Sequence, residues 1–349
     1  MIRTLLAAAA LTLAASSLTA AELTPPQGRA IRVAFVLSEH AVVIDFAGPW
    51  EVFQDAMITD SAGTRMPFEL YTVAASLEPV HTSGGGRKGL TITPDYSFAD
   101  APSPDVVVVG AQSGASGLAD WLRRVHAEHA LILSVCTGAF RVAESGLLEG
   151  RSATTHHASL QRFANQYPGI SVRSSVRYVE AAPRILTAGG LSSGIDAALH
   201  VVAEYFGTPA AQATADDMEY QGQGWKTNAG NGEPRLVEPT IPLAYRDATS
   251  HWQGVLLPEY PKSEPQLAVT LHLARVDGQY VGTIDVPAQR TFGEPVEVRM
   301  ESGRVTLILP AHDGPLTFSG KMTRDTISGR VTGGHVSIPL SLHRTTATS

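Results

Sequence analysis

Two rhythms divide this chain and constrain its fold more than any single residue does. In the first, between Ile31 and Phe206, short aliphatic runs alternate with stretches of helical periodicity. The clearest run is Asp105-Val106-Val107-Val108-Val109-Gly110. Its consecutive valines leave no polar face, as expected of a central parallel strand covered on both sides. Residues 32–37, 68–74, 131–135 and 184–188 read as companion strands. Helices are predicted over 50–58 (opened by Gly48-Pro49), 118–130, from the Cys136-Thr137-Gly138 corner to about Glu144, and over 195–206. Strands alternating with helices in this way imply a mostly parallel sheet between two helical layers.

The second rhythm begins after Trp225. Residues 226–242 are polar and rich in Gly, Asn and Pro, and read as a linker or long surface loop. Beyond them strand signals follow closely at 252–257, 267–274, 280–284, 296–299, 305–309, 316–318, 326–331 and 336–342, with no helical stretch between them. Short strands at this spacing predict an antiparallel barrel or sandwich. The expected organisation is therefore a leader at 1–21, an α/β domain at 30–225, a linker at 226–247 and an all-β domain at 248–345. A small barrel also has room to hold an apolar ligand.

The leader reads as an export signal. Met1-Ile2-Arg3 is a short basic start, residues 5–18 are Ala/Leu-rich, and Thr19-Ala20-Ala21 supplies the small residues of a cleavage site. Ser16-Ser17 interrupts the apolar run before it reaches the ~20 residues that a membrane span needs. The expectation is a protein exported to a periplasm or secreted, with no membrane span after cleavage. A formal net charge of −7 argues against a nucleic-acid partner, which would favour a basic face.

The chain of 349 residues has one cysteine, Cys136, so neither an internal disulfide nor a thiolate zinc cage is possible. Cys136 falls where a buried strand runs straight into a helix, Ser134-Val135-Cys136-Thr137-Gly138-Ala139-Phe140. This is the pattern of a nucleophile elbow, which presents a side chain at the carboxyl end of a parallel strand. A helix N-terminus favours a thiolate and is expected to lower the thiol pKa. The backbone N–H groups of Thr137 and Gly138 are placed to hold a developing anion.

With these residues in place, four ordered segments resemble the ThiJ/PfpI family of the class I glutamine amidotransferase-like superfamily. They are residues 134–156, 43–53 (Val43-Ile44-Asp45-Phe46-Ala47-Gly48-Pro49-Trp50-Glu51-Val52-Phe53), 90–95, and Thr187-Ala188-Gly189-Gly190 with Ser193-Gly194-Ile195-Asp196. The resemblance covers about residues 30–222 and is strongest to the isonitrile hydratase-like group and to the sensor domains of AraC-type regulators. It implies a flavodoxin-like three-layer α/β/α sandwich with a mostly parallel sheet. By the same resemblance Cys136 matches the nucleophile and Asp45 the acid that reaches its sulfur. Thr137 matches the residue that orients substrate, and His156 a histidine near the cysteine. A small-molecule substrate, a homodimer, and no metal or organic cofactor are further implications. A carboxyl beside a thiolate ionises with difficulty, so the Asp45 pKa is expected to rise, and the protonated acid then donates to sulfur and passes a proton to substrate.

Two departures bear on the site. Where the family carries Pro-Gly-Gly after the central strand, this chain has Gly110-Ala111-Gln112. Backbone donation from Gly110, Ala111 and Gln112, together with Gly138 and Gly190, is the expected oxyanion pocket, with the Gln112 amide as a further donor. The AraC-type regulators carry a helix-turn-helix module where this chain has its strand-rich region. A third Gly cluster, Ser83-Gly84-Gly85-Gly86-Arg87-Lys88, lacks phosphate-loop spacing and reads as a flexible turn. The expected activity is hydration of an isonitrile to an N-substituted formamide. The alternatives are a glyoxalase- or deglycase-like reaction on carbonyls, and a non-catalytic small-molecule sensor.

Overall fold

The computed structural model describes residues 23–61, 63–84, 89–256, 267–286, 291–309, 314–333 and 336–345. The expected leader at 1–21 and residues 85–88 of the glycine cluster lie outside the described residues.

Seven strands build the first sheet: β1 (Ile31–Val36), β2 (Phe68–Ala74), β3 (Tyr96–Ser97), β4 (Val106–Val109), β5 (Leu131–Val135), β6 (Tyr178–Ala182) and β7 (Ile185–Ala188). Their order is β6-β7-β5-β4-β1-β2-β3, and all pairs are parallel except β6 with β7. The alternation of side chains between the two faces is visible residue by residue. Ile31, Val33 and Phe35 of β1, with Val106 and Val108 of β4, pack under α1 (Val43–Asp55), α5 (Ser193–Phe206) and α6 (Thr208–Asp217). Ala34, Val36, Val107 and Val109 point to the other layer, made by α2 (Leu118–Ala127), α3 (Gly138–Glu144) and α4 (Leu160–Gln166). Both faces of the valine run are thus buried, as its lack of a polar side requires.

The helix at residues 50–58 is corrected. It begins a full turn or more earlier, at Val43, and ends at Asp55, with Pro49 inside it. Proline is at home in a first turn, which made Gly48-Pro49 look like an opener. Here Ala111 C=O accepts from the Val42 N–H (2.8 Å), and Val42 C=O from the Asp45 N–H (3.1 Å), so the chain is already wound before the proline. The result places Asp45 in the first turn.

The strand-rich region closes into an eight-stranded antiparallel barrel, which selects the barrel over the sandwich. Its strands are β8 (Ser250–Leu256), β9 (Leu267–Val276), β10 (Gln279–Val286), β11 (Thr291–Glu301), β12 (Arg304–Leu309), β13 (Leu316–Met322), β14 (Thr326–Gly333) and β15 (Val336–Thr345). Its interior is filled by Trp252, Leu271, Val305, Phe318, Ile327 and their neighbours, so the expected room for an apolar ligand is taken by side chains. Part of the expected linker is ordered against the first domain: Arg235–Val237 pairs antiparallel with Ser171–Ser174. Among the described residues no helix is long and apolar enough to cross a membrane.

Candidate active site

Cys136 follows β5 directly and adopts a left-handed backbone with φ 59°. That conformation costs an L-residue roughly 1–2 kcal/mol and persists only where its surroundings enforce it. Two contacts do so. The Cys136 N–H donates to Gly189 C=O (2.8 Å), and its own C=O accepts from the buried Thr155 hydroxyl (2.8 Å). Gly138, two residues on, has no space for a side chain. A Cβ there would lie 2.0 Å from the Val109 carbonyl oxygen, so α3 starts hard against the end of β4. The strand-to-helix corner thus has the elbow form expected from the sequence.

Asp45 is wholly buried. One carboxyl oxygen, Oδ2, accepts from the Ala111 N–H at 3.0 Å. The other, Oδ1, is buried with no partner in hydrogen-bonding geometry among the described residues. The remaining groups that act on the carboxyl are the Cys136 thiol and the Leu191 backbone N–H. Burial pushes the Asp45 pKa up to about 6, against the pull of these three donors. The direction is the expected one, but its cause is burial and not the neighbouring sulfur, which pulls the value down. The expected low thiol pKa is corrected: burial, followed by the charge of Asp45, pushes Cys136 up to about 12. The N–H groups of Thr137 and Leu191 pull the other way, and a helix N-terminus of this length does not overcome desolvation beside a carboxylate. Near neutral pH the pair therefore rests as a thiol facing a carboxylate, with a proton to transfer and an oxygen free to take it.

The expected oxyanion pocket is redistributed. The Ala111 N–H is committed to Asp45. The Gln112 amide donates to Val36 C=O (3.1 Å) at the end of β1, and its Oε1 is buried and unpartnered, so it braces the loop instead of facing the thiol. Gly110 serves by its lack of a side chain, since a Cβ would come within 2.9 Å of the Asp45 Cβ. Thr137 is half-buried beside the thiol, and its N–H acts on the sulfur. His156 caps a short helical turn, its Nδ1 accepting from the Ala158 N–H at 3.3 Å. Its ring packs on Gly190, where a Cβ would lie 2.2 Å from it, and next to the ring of His157, with centroids 4.2 Å apart. Burial and His157 lower the His156 pKa, so it is neutral near pH 7.

Leu191 is the functional position that residue types did not reveal. It contributes a backbone N–H and, like Cys136, adopts a left-handed backbone (φ 55°). The Gly189-Gly190 pair before it was the available signal of a tight loop. That loop is held by Asp196, which is buried and ion-paired with Arg177 (Nε to Oδ2, 2.5 Å). Asp196 Oδ1 also accepts from the Tyr220 hydroxyl and the Trp225 N–H, both at 3.1 Å, and Arg177 reaches the Ser192 hydroxyl at 3.1 Å. A cleft of about 520 Å³, lined in part by Thr155, His156, Arg177, Gly190 and Leu191, opens beside this loop. Among the described residues no group of three or more His, Cys, Asp and Glu is placed to hold a metal ion.

A parallel-sheet protein with a strained cysteine at a strand-to-helix corner, facing a buried carboxyl from the first turn of the helix after β1, is the class that these elements define. A family model described as the DJ-1/PfpI family matches residues 31–204, which include both members of the pair. The chain belongs to that family. Isonitrile hydratase of Pseudomonas putida is 29% identical over 197 residues, 55% of this chain and 79% of that protein. The HTH-type transcriptional regulator CdhR of Pseudomonas aeruginosa is 29% identical over 156 residues, 43% of this chain and 45% of the regulator. The chain thus spans less than half of the regulator's length. Among solved structures, a ThiJ/PfpI family protein from Pseudomonas syringae matches with a TM-score of 0.46 at 25% identity, covering 56% of this chain and 76% of that one.

Proposed function

We propose that the protein is an exported, cysteine-dependent hydratase of small electrophilic molecules, with Cys136 as nucleophile and Asp45 as the group that carries the proton. The observation that carries this reading is the unpartnered, buried Oδ1 of Asp45 beside a thiol held in a strained corner. Asp45, ionised above about pH 6, takes the thiol proton as sulfur attacks, so no free thiolate has to form first. With an isonitrile, sulfur adds to the terminal carbon and the proton is delivered to the same carbon, giving a thioimidate. Water then adds across the C=N bond, its proton going to nitrogen. Collapse returns the sulfur to Cys136 as a thiol, with the hydroxyl proton relayed by Asp45, and releases the N-substituted formamide. The N–H groups of Thr137 and Leu191 lie where charge develops on sulfur. The similarity to isonitrile hydratase favours this substrate class.

A sensor that binds a small molecule without turnover is the second reading, favoured by the similarity to a transcriptional regulator. A panel of isonitriles, α-oxoaldehydes and esters offered to wild type and to Cys136→Ser separates the readings. Isonitrile turnover that depends on Cys136 supports the hydratase. Turnover of α-oxoaldehydes alone replaces it with a glyoxalase-like activity, and binding without turnover leaves the sensor. Export is tested by the N-terminus of protein recovered from the periplasm or medium, which should begin near residue 21 or 22.

A further inference from the structure

The outer face of the barrel carries a polar chain that the hydratase reading does not use. His251 of β8, His272 of β9 and Thr283 of β10 are consecutive cross-strand partners, so their side chains share that face. His251 Nδ1 lies 2.7 Å from His272 Nδ1, and His272 Nε2 lies 2.8 Å from Asp285 Oδ2. Asp285 Oδ1 accepts from the Gly293 N–H at 2.6 Å, and Gly293 C=O accepts from Asn165 Nδ2 of α4 at 2.6 Å. Gly293 has φ 62°, and a Cβ there would press on the Asn165 side chain at 3.0 Å. The chain of groups is thus wired into the seam between the two domains. A cleft of about 420 Å³ opens there, lined in part by His251, His272, Thr283, Asp285 and Arg246.

Two features of this cleft point to a ligand. Thr283 is 5% exposed, and its hydroxyl makes no hydrogen bond among the described residues although the residue lines the cleft. His251 spends Nδ1 on His272 and has no protein partner at Nε2 among the described residues. The network assigns the tautomers. Asp285 accepts from His272 Nε2–H, so the neutral His272 offers Nδ1 as an acceptor and His251 donates through Nδ1–H. His251 Nε2 then carries a lone pair and repels an anion. One added proton reverses this. It enters at His251 Nε2 and leaves the hydrogen-bonded pair with one positive charge, opposite the Asp285 carboxylate that holds His272. His251 now presents an N–H to the cleft, beside the Thr283 hydroxyl and the Arg246 guanidinium.

We propose that this seam is a second binding site, which takes up a small oxyanion, carboxylate or phosphate, together with one proton. The charged groups that face the pair are Asp285 from β10 and Arg246 from the segment before β8. From α4 it meets the neutral Asn165 and Gln166, and from β15 the neutral Thr345, whose hydroxyl donates to His251 C=O. Burial and His272 hold His251 below its ordinary pKa in the free protein. A bound anion raises it, so binding is favoured at low pH and weakens as pH rises from the pKa of the free protein to that of the complex.

The test is calorimetric titration of the full chain with sodium acetate and, separately, with inorganic phosphate, in two buffers of different ionisation enthalpy. The expected result is uptake of about one proton per anion and an affinity that weakens about tenfold per pH unit between the pKa of the free protein and that of the complex, levelling above it. Thr283→Val and His251→Ala should each lose the binding. Histidine C2–H resonances of the wild-type protein should show one imidazole whose titration moves up when the anion is present, a readout that needs no variant. Binding of acetate alone or of phosphate alone identifies which oxyanion fits. Absence of binding by both, binding without proton uptake, or unchanged binding in Thr283→Val overturns the proposal. None of these results depends on turnover at Cys136.

Discussion

The Asp45 carboxyl and the Cys136 thiol form one buried acid–base unit. Desolvation raises both pKa values, the Asp45 charge raises that of Cys136 further, and the thiol in turn pulls that of Asp45 down. The unit is assembled from three strand ends at the point where the sheet order reverses around β1. Asp45 lies in the first turn after β1, Gly110 gives it room at the end of β4, and Cys136 closes the group from β5. Open α/β sheets place their sites at such points.

The first consequence concerns thiol reactivity. With Cys136 pushed up to about 12, its alkylation by iodoacetamide should be slow at neutral pH and show no thiolate titration below about pH 8.5, the value of a free thiol. Asp45→Asn removes the negative neighbour, so the thiol pKa should fall and alkylation at a fixed pH should speed up. A wild-type titration well below the free-thiol value would contradict the arrangement.

Asp45 should also leave a mark on stability. Its folded pKa, about 6, lies above its ordinary value of 3.8. The folded state therefore holds the proton more tightly, and the associated stability is present below the unfolded pKa and lost as pH rises through about 6. Asp45→Asn avoids the buried charge, and should be more stable than wild type by about 1–3 kcal/mol at pH 7.5, with the gain shrinking near pH 4. Denaturant unfolding at the two pH values measures this.

Gly138→Ala is expected to be severely destabilising. Its Cβ would meet the carbonyl oxygens of Val109 and Gly110 at 2.0 and 2.9 Å, both backbone atoms that cannot swing aside. A loss of about 3 kcal/mol or failure to fold follows from overpacking against rigid groups. Gly146→Ala, at a glycine with φ 79° and open space around its Cβ position, serves as the comparison and should cost only about 1 kcal/mol.

Asp196→Ala tests the support of the Leu191 loop. It strands Arg177, the Tyr220 hydroxyl and the Trp225 N–H at once. The expected cost is about 3–5 kcal/mol, the range for breaking a buried pair from one side. A variant that keeps the fold should still lose activity, because the loop that brings the Leu191 N–H to the sulfur is released.

Much of this architecture was legible in the sequence because burial imposes its own pattern. The valine run at 106–109, the strands at 68–74 and 131–135, and the closely spaced strands of the barrel carry their environment in their side chains. The start of α1 was not legible. It depends on a hydrogen bond between Val42 and Ala111, residues far apart in sequence, which overrides the local signal of Pro49. The site shows the same division. Cys136 and Asp45 stand out by type and motif, whereas Leu191 acts through its backbone and Gln112 is turned inward by the end of β1. The direction of the thiol shift depended on how deeply the corner is buried, a tertiary property to which the local helix start is subordinate.

The most direct test of the central claim is the pH dependence of kcat/KM for an aliphatic isonitrile, with Asp45→Asn and Cys136→Ser measured alongside. A base that must be ionised predicts a wild-type rate that rises with pH through about 6 and then levels. It also predicts a loss of about 10²–10⁴-fold in Asp45→Asn, with the acid limb gone, and no turnover in Cys136→Ser. A wild-type rate that is flat through that range, or formamide formation that survives in Cys136→Ser, would contradict the account.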